Sequence, residues 1–104
     1  MDKLTYLYDK IDDELDDAED YIEHAIQYKE ACPEIARALA QLSAEEMQHM
    51  QVLQGLTAQE LAAKRKDSAG MLPDDLHAVH EWLQCRHAKR AKEVKRMQDL
   101  YAGR

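Results

Sequence analysis

Apolar residues recur every three or four positions along three long stretches of this chain, which is the spacing of one face of an α-helix. In the first stretch they form a continuous row, which runs Leu4, Leu7, Ile11, Leu15, Ala18, Ile22 and Ala25. Further tyrosines and an isoleucine widen this row on both sides, so we expect the helix to contact two neighbours rather than one. The pattern predicts a first helix at about residues 3–30.

A short turn that contains Pro33 separates the first helix from the second. Pro33 suits the first position of a new helix, and Glu34 beside it favours the helix N-terminus. So short a connection requires the two helices to lie antiparallel and in contact. The second helix is predicted at about 33–54, with a break or kink near Gly55; the alternative is that it continues to residue 66 with Gly55 tolerated.

A third helix follows a loop at 66–71. It is predicted to begin at Pro73, with two aspartates in its first turn, and to end at about residue 101. Good helix formers dominate the 104 residues, whereas proline and glycine are few. The chain is therefore predicted to be one all-α domain, 1–104, in which an antiparallel helical hairpin is followed by a third long helix.

Two polar residues interrupt the apolar row of the second helix. The row runs Ile35, Leu39, Leu42, Glu46, His49, Leu53 and Leu56, in alternating steps of four and three. A carboxylate on a buried row requires a counter-charge, a hydrogen-bond network or a metal ion to offset its desolvation. Because Glu46 and His49 are one turn apart, both side chains reach towards the same neighbour. This pair is the strongest candidate for chemistry in the chain.

Acidic and basic residues are unevenly divided along the chain, whose net charge is −7. Residues 1–60 contain 15 acids and 4 bases, whereas residues 61–104 contain 6 acids and 10 bases. The acidic first half argues against nucleic acid as the main partner, and it suits a cation or the basic third helix of this or a neighbouring chain. The aspartates of the first helix are interpreted either as a solvated face or as an acidic funnel that attracts cations.

The sequence predicts no membrane location. No apolar run approaches the length of a membrane span, and the first residues do not have the pattern of a signal peptide. Cys32 and Cys85 have neither the spacing of a metal site nor the density of a disulfide framework. We therefore expect a cytoplasmic protein, or one enclosed in an intracellular protein compartment.

Residues 10–54 resemble half of a ferritin-like four-helix bundle, as found in rubrerythrin-type domains and short encapsulated ferritins. Glu14, a tyrosine seven residues later, a tight proline turn and the Glu46-x-x-His49 motif carry this resemblance. In those families the first helix supplies a Glu, and the second supplies Glu-x-x-His, to a di-iron centre. The resemblance implies that Glu14, Glu46 and His49 are metal ligands, that Glu46 bridges the metals, and that Tyr21 is a catalytic redox group beside them.

The third helix lacks the second Glu-x-x-His that a complete ferritin-like chain carries. Short encapsulated ferritins form their site between two chains, and the resemblance implies the same device here. The expectation is a four-helix bundle completed by dimerisation, in a homodimer or larger homo-oligomer, with two iron ions at each dimer interface and manganese as the alternative metal. A protein shell and a redox protein are candidate further partners. His80 and His87 of the third helix are either interface histidines or additional ligands.

The implied function is ferroxidase activity, iron handling or peroxide defence, but two other functions fit the same residues. Glu46 and His49 could be a polar pair that sets the register of a subunit interface, in a helical interaction module without enzymatic activity. Alternatively, the ligands could form the site of an iron-sensing regulator that does not turn iron over. Metal stoichiometry separates the first alternative from the others, and oxygen-dependent turnover separates the second.

Overall fold

Three α-helices make up almost all of the computed structural model, which describes residues 2–67 and 73–104. α1 spans Lys3–Tyr28, α2 spans Pro33–Asp67 and α3 spans Asp74–Ala102. These two ranges contain no strand, so the prediction of an all-α fold is confirmed. The helices form a rod 57 Å long, in which α1 packs against both other helices while α2 and α3 meet at few points.

The turn between α1 and α2 is as tight as the sequence predicts. The Cys32 N–H donates to the Tyr28 carbonyl oxygen at 2.8 Å, which closes the end of α1. The Ala36 N–H donates to the Cys32 carbonyl oxygen at 3.0 Å, the first hydrogen bond of the following helix. Pro33 occupies the first position of α2, where its missing N–H costs nothing. The resulting hairpin is antiparallel.

α2 runs through Gly55 without a break, so the preferred break at that position is wrong. A glycine inside a helix costs only about 1 kcal/mol relative to alanine. Beyond Gly55 the helix still buries Thr57 and Leu61, and this packing outweighs the cost. The predicted loop at 66–71 lies mostly outside the described residues, and its first two residues belong to α2.

The apolar row of α1 is confirmed as the core of the bundle. The fully buried members, with less than 3 % of their surface exposed, are Leu4, Ile11, Leu15, Ala18, Ile22 and Ala25. Leu7 is half-buried, because it lies at the edge of the row. One end of the core is closed by Leu61 of α2 against Leu4 and Tyr8, and α3 adds half-buried leucines to that cluster.

The buried line of α2 is displaced by about one position from the row predicted from its leucines. The side chains that α2 buries are Ala36, Ser43, Met50, Thr57 and Leu61. Ile35, Leu42 and Leu56 of the predicted row are 54 %, 37 % and 44 % exposed. Small residues on the buried line let α2 approach α1 closely. The bulkier side chains of the predicted row therefore lie beside this contact and not within it.

Ser43 links all three helices at the middle of the buried line. Its side chain is fully buried, and its hydroxyl donates to the Ala18 carbonyl oxygen of α1 at 2.7 Å. The same oxygen accepts a hydrogen bond from the Gln98 amide of α3 at 3.0 Å. A buried hydroxyl with both a donor and an acceptor partner avoids the desolvation cost of an unpaired polar group.

The replacement Ser43→Ala is expected to lower the free energy of unfolding by about 1–2 kcal/mol, since it removes two hydrogen bonds at a buried position. Urea denaturation followed by circular dichroism measures this change. The comparison variant Ser43→Thr keeps the hydroxyl but adds a methyl group at a fully buried position, so it should also destabilise. If Ser43→Ala were as stable as the parent, the link would be dispensable.

Candidate metal centre

Glu14, Glu46 and His49, the candidate ligands that the resemblance implies, meet in the groove between α1 and α2. His49 Nδ1 lies 3.5 Å from Glu14 Oε2 and 3.6 Å from Glu46 Oε2. One potential ligand atom from each of the three residues lies within 4.8 Å of the other two. Among the residues that the structure describes, this is the one group of three or more acidic, histidine or cysteine side chains with such spacing.

Helix geometry explains how these three side chains come together. Glu46 and His49 are one turn apart on α2, so both project to the same side of the helix. The antiparallel hairpin places Glu14 of α1 at the same height. Glu14 and Glu46 have 22 % and 17 % of their side chains exposed, whereas His49 has 58 % exposed. The group is therefore closed on the side of the hairpin and open on its outer side.

One carboxylate oxygen of the group has no hydrogen-bond partner. Glu14 Oε2 is shielded from solvent, and within the described ranges no group donates a hydrogen bond to it. The 3.5 Å distance to His49 Nδ1 is too long for a good hydrogen bond. A carboxylate oxygen removed from water without a donor is costly, and a cation at the centre of the three residues would remove that cost.

The donor set fits a divalent transition metal. Carboxylate oxygens and an imidazole nitrogen suit Fe(II) and Mn(II), which accept oxygen and nitrogen ligands together. Three side chains leave coordination positions free, and the open side of the group gives access to them. The three side chains therefore fit part of the coordination sphere of such an ion.

Tyr21 lies on the same flank of α1 as Glu14 but further along the helix. Seven residues separate the two side chains, a rise of about 10 Å. Tyr21 is half-buried, and it lies beside the groove in the same row as Glu14. Its redox role remains a prediction. Over this distance, that role would be indirect.

His80 and His87 lie away from this group, where they attach α3 to the opposite flank of α1. His87 is buried, and its Nε2 lies 3.0 Å from Asp12 Oδ1. Tyr8 donates a hydrogen bond of 2.5 Å from its hydroxyl to Nδ1 of His80. In this structure both histidines are therefore interhelical contacts.

Arg90 adds to the contact between α3 and the acidic flank of α1. Its guanidinium lies 2.6 Å from Asp16 and 3.6 Å from Asp12. Asp12, with 28 % of its side chain exposed, is thus partly buried against α3, whereas Asp16 pairs with Arg90 and remains 66 % exposed. The sequence signal for this contact was that Asp12 and Asp16, four residues apart, lie on one face of α1. His87 and Arg90, three residues apart, likewise lie on one face of α3.

A row of mostly apolar residues surrounds the candidate ligands on the outer side of the hairpin, and we call it the hairpin face. Its members are Leu7, Glu14, Tyr21 and Tyr28 on α1 and Ile35, Leu42, His49 and Leu56 on α2. All eight are exposed or half-buried. The signal that the sequence reasoning missed is their unbroken spacing of seven residues, which continues through the turn.

Comparison with protein-family models, with curated proteins and with solved structures finds no match to this chain. The ferritin-like resemblance therefore depends on the residues of α1 and α2 alone. In the described part of the chain, none of the helices combines the length and apolar character that crossing a membrane requires.

The contact between Tyr8 and His80 depends on protonation. Burial lowers the pKa of the His80 imidazole below its ordinary value of 6.5, and the charges of Arg65 and His77 lower it further, against a smaller opposite effect of Glu81. Burial, with a contribution from Asp2, raises the pKa of the Tyr8 phenol. At neutral pH the imidazole is therefore uncharged and accepts the phenolic hydrogen bond.

Acidification below about pH 6.5 is expected to weaken this contact. The pKa of His80 is lower in the folded than in the unfolded chain. At pH values between these two pKa values, the unfolded chain therefore binds more protons than the folded chain. The free energy of unfolding therefore decreases as the pH falls through that window. In denaturant titrations across this range, His80→Gln should show a smaller decrease than the parent. The control His24→Gln, at a half-buried position of α1, should keep the parental decrease; identical behaviour of the two variants would contradict the assignment.

Proposed function

We propose that this protein is a di-iron carboxylate protein of the ferritin-like type, in which two copies of the chain form one metal centre. Its reaction is the oxidation of Fe(II) by peroxide or dioxygen, in iron handling or oxidative defence. The observation that carries the proposal is the group of Glu14, Glu46 and His49, in which the Glu14 Oε2 atom is shielded from solvent and, within the described residues, has no hydrogen-bond partner.

The incompleteness of the group supports a centre shared by two copies. One chain supplies two carboxylates and one imidazole, which is half of the ligand set of a ferritin-like centre. Two copies related by a twofold axis supply four carboxylates, whose negative charges balance two divalent cations. Two hairpins packed face to face would also make up a four-helix bundle.

The apolar residues of the hairpin face support the same arrangement. Ile35, Leu42 and Leu56 are bulky and exposed in the single chain, and they lie on both sides of the ligands along α2. A second hairpin over this face would bury them and shield the ligands from water. Shielding strengthens the interaction between carboxylates and a cation, because the local dielectric constant falls.

Each residue has a distinct role in the proposed centre. Glu14, Glu46 and His49 of each copy would hold the two metal ions, with Glu46 in the bridging role that the ferritin-like resemblance implies. Bound as Fe(II), the pair supplies the two electrons that reduce hydrogen peroxide to water or dioxygen to hydrogen peroxide, with protons taken from solvent. The exposed aspartates of α1 that do not pair with α3, such as Asp13 and Asp20, raise the local concentration of cations.

Fe(II) as a substrate is consistent with a reducing compartment such as the cytoplasm. Cys32 and Cys85 are both free thiols in the structure. Cys85 is exposed, so a strongly oxidising environment would expose it to modification. We place the protein in the cytoplasm, or in a compartment within it, as part of the same proposal.

The second candidate function is a helical interaction module without metal chemistry. The exposed apolar residues of the hairpin face favour it, since they suit a protein–protein contact whatever the role of the polar residues. In that function Glu46 and His49 would set the register of the contact. The unpaired Glu14 oxygen favours the metal centre instead, because a register device requires no unpaired acceptor.

Anaerobic titration with Fe(II) separates these functions. The parent chain is expected to bind about one iron per chain and to oxidise it rapidly when air or peroxide is added. Glu46→Ala should reduce the affinity for iron by at least about tenfold with unchanged helix content, because it removes the bridging ligand. The matched control Glu45→Ala removes the neighbouring carboxylate and should bind iron like the parent.

Three outcomes would contradict the proposal in different ways. Equal iron binding by Glu46→Ala and Glu45→Ala would show that the ligands are assigned wrongly. An absence of binding in a parent chain that still dimerises would leave the interaction module. Tight binding without oxidation by either oxidant would identify an iron sensor.

A further inference from the structure

The eight residues of the hairpin face form four layers across the two helices. Because α1 and α2 are antiparallel, Leu7 lies at the height of Leu56, and Glu14 at the height of His49. The same register places Tyr21 with Leu42 and Tyr28 with Ile35. Successive layers are about 10 Å apart, the rise of seven helical residues. The ligands thus occupy the second of four layers, and the other three are apolar.

A hollow of about 460 Å³ opens at the first layer. Its lining residues are Lys3, Tyr6, Leu7, Leu56, Gln59 and Glu60. Leu56 and Tyr6 are both substantially exposed, so the hollow has an apolar floor that solvent covers in the single chain. Its lining by Tyr6, Leu7 and Leu56 suits contact with an aromatic side chain.

We propose that the second copy packs antiparallel on the hairpin face, with the twofold axis through the Glu14–His49 layer, and that each copy inserts Tyr21 into the hollow of the other. This arrangement rests on the proposed function, because the axis is placed where the two ligand groups join. On α1, Leu7 and Tyr21 are equally distant from Glu14, on opposite sides of it. The axis therefore places Leu7 of one copy against Tyr21 of the other copy. On α2, Leu42 and Leu56 are related to His49 in the same way.

Charges favour this arrangement over the parallel one. A twofold axis along the bundle would also join the two ligand groups, but it would put α1 beside the partner's α2. Asp17 would then lie near the partner's Glu45, a contact between like charges. In the antiparallel arrangement α1 lies beside the partner's α1, and Lys10 lies near the partner's Asp17. Lys10 and Asp17 lie beside the hairpin face, each three residues after one of its members. Because of the twofold axis, the contact between Lys10 and Asp17 occurs twice in the dimer.

The shapes of the layers favour the antiparallel arrangement too. A parallel dimer would place one hollow opposite the other and leave a void between the copies, which is costly in a packed interface. The antiparallel dimer fills each hollow with the layer of Tyr21 and Leu42. It also places Ile35 near the partner's Ala63, since both are fourteen residues from His49. The extension of α2 to Asp67, well beyond the start of α1, provides the surface for that contact.

Cross-linking of paired cysteines tests the arrangement. The natural thiols are first removed by Cys32→Ser and Cys85→Ser. Each chain then receives one new cysteine, by Lys10→Cys, Asp17→Cys or Glu45→Cys, and a tag whose mass identifies it. The chains are mixed and treated with a short bismaleimide, with and without Mn(II) as the bound metal. We expect a mixed cross-linked dimer from Lys10→Cys with Asp17→Cys. A cross-link between Asp17→Cys and Glu45→Cys instead would overturn the proposal. So would the absence of a cross-link from both pairs in a chain that still dimerises.

Replacement of Tyr21 tests the insertion itself. Tyr21→Ala empties the hollow of both copies, so it is expected to raise the dimer dissociation constant by more than about tenfold in sedimentation equilibrium. The matched control Trp82→Ala removes an aromatic ring that is 61 % exposed on α3, outside the hairpin face, and should leave the constant unchanged. Equal dissociation constants for Tyr21→Ala and the parent, or an entirely monomeric parent, would overturn the insertion.

These outcomes are independent of the iron measurements. Iron binding and oxidation by a chain that cross-links through Asp17→Cys and Glu45→Cys would keep the di-iron function and overturn the antiparallel packing. Cross-linking through Lys10→Cys and Asp17→Cys in a chain that binds no metal would keep the packing and overturn the function. The two proposals can therefore fail separately.

Discussion

Close packing of α1 against α2 is the constraint on which the rest of this structure depends. Alanines and a serine occupy the contact, and Ser43 binds the Ala18 carbonyl oxygen directly. Small side chains allow the two backbones to approach, and the hydrogen bond sets their relative height. With that height set, Glu14 of one helix meets Glu46 and His49 of the other. The candidate metal centre is thus a consequence of the hairpin register.

α3 determines which side of the hairpin remains free. Its apolar residues pack on the core row of α1, and three polar contacts join the same two helices, namely Asp12 with His87, Asp16 with Arg90, and Tyr8 with His80. All of them lie on the flank of α1 opposite Glu14, so α3 covers one side of the hairpin and leaves the ligands uncovered. Arg90 thus gives part of the basic character of α3 a structural role, because it pairs with the acidic flank of α1.

The uncovered face combines two features that are unfavourable in an isolated chain. Bulky apolar side chains are exposed to water, and Glu14 Oε2 is shielded without a donor. Each feature costs free energy in the isolated chain, and the proposed packing of two copies around metal ions would remove both costs. Metal binding and dimerisation are therefore expected to be coupled, each strengthening the other.

The periodicity of the sequence determined the three helices, the tight turn at Pro33 and the pairing of Glu46 with His49, because these depend on neighbours within one helix. It also determined the core row of α1, whose leucines and isoleucines are large enough to dominate their contacts. It did not determine which face of α2 is buried, since the leucines are the most apolar residues but the smaller Ala36 and Ser43 allow the closer contact. The continuity of α2 through Gly55 was likewise decided by the packing of Thr57 and Leu61 beyond it. Tertiary structure alone showed that Glu14 meets His49 and that His80 and His87 bind α1 instead, because the relative rotation of packed helices depends on side-chain fit across the whole interface.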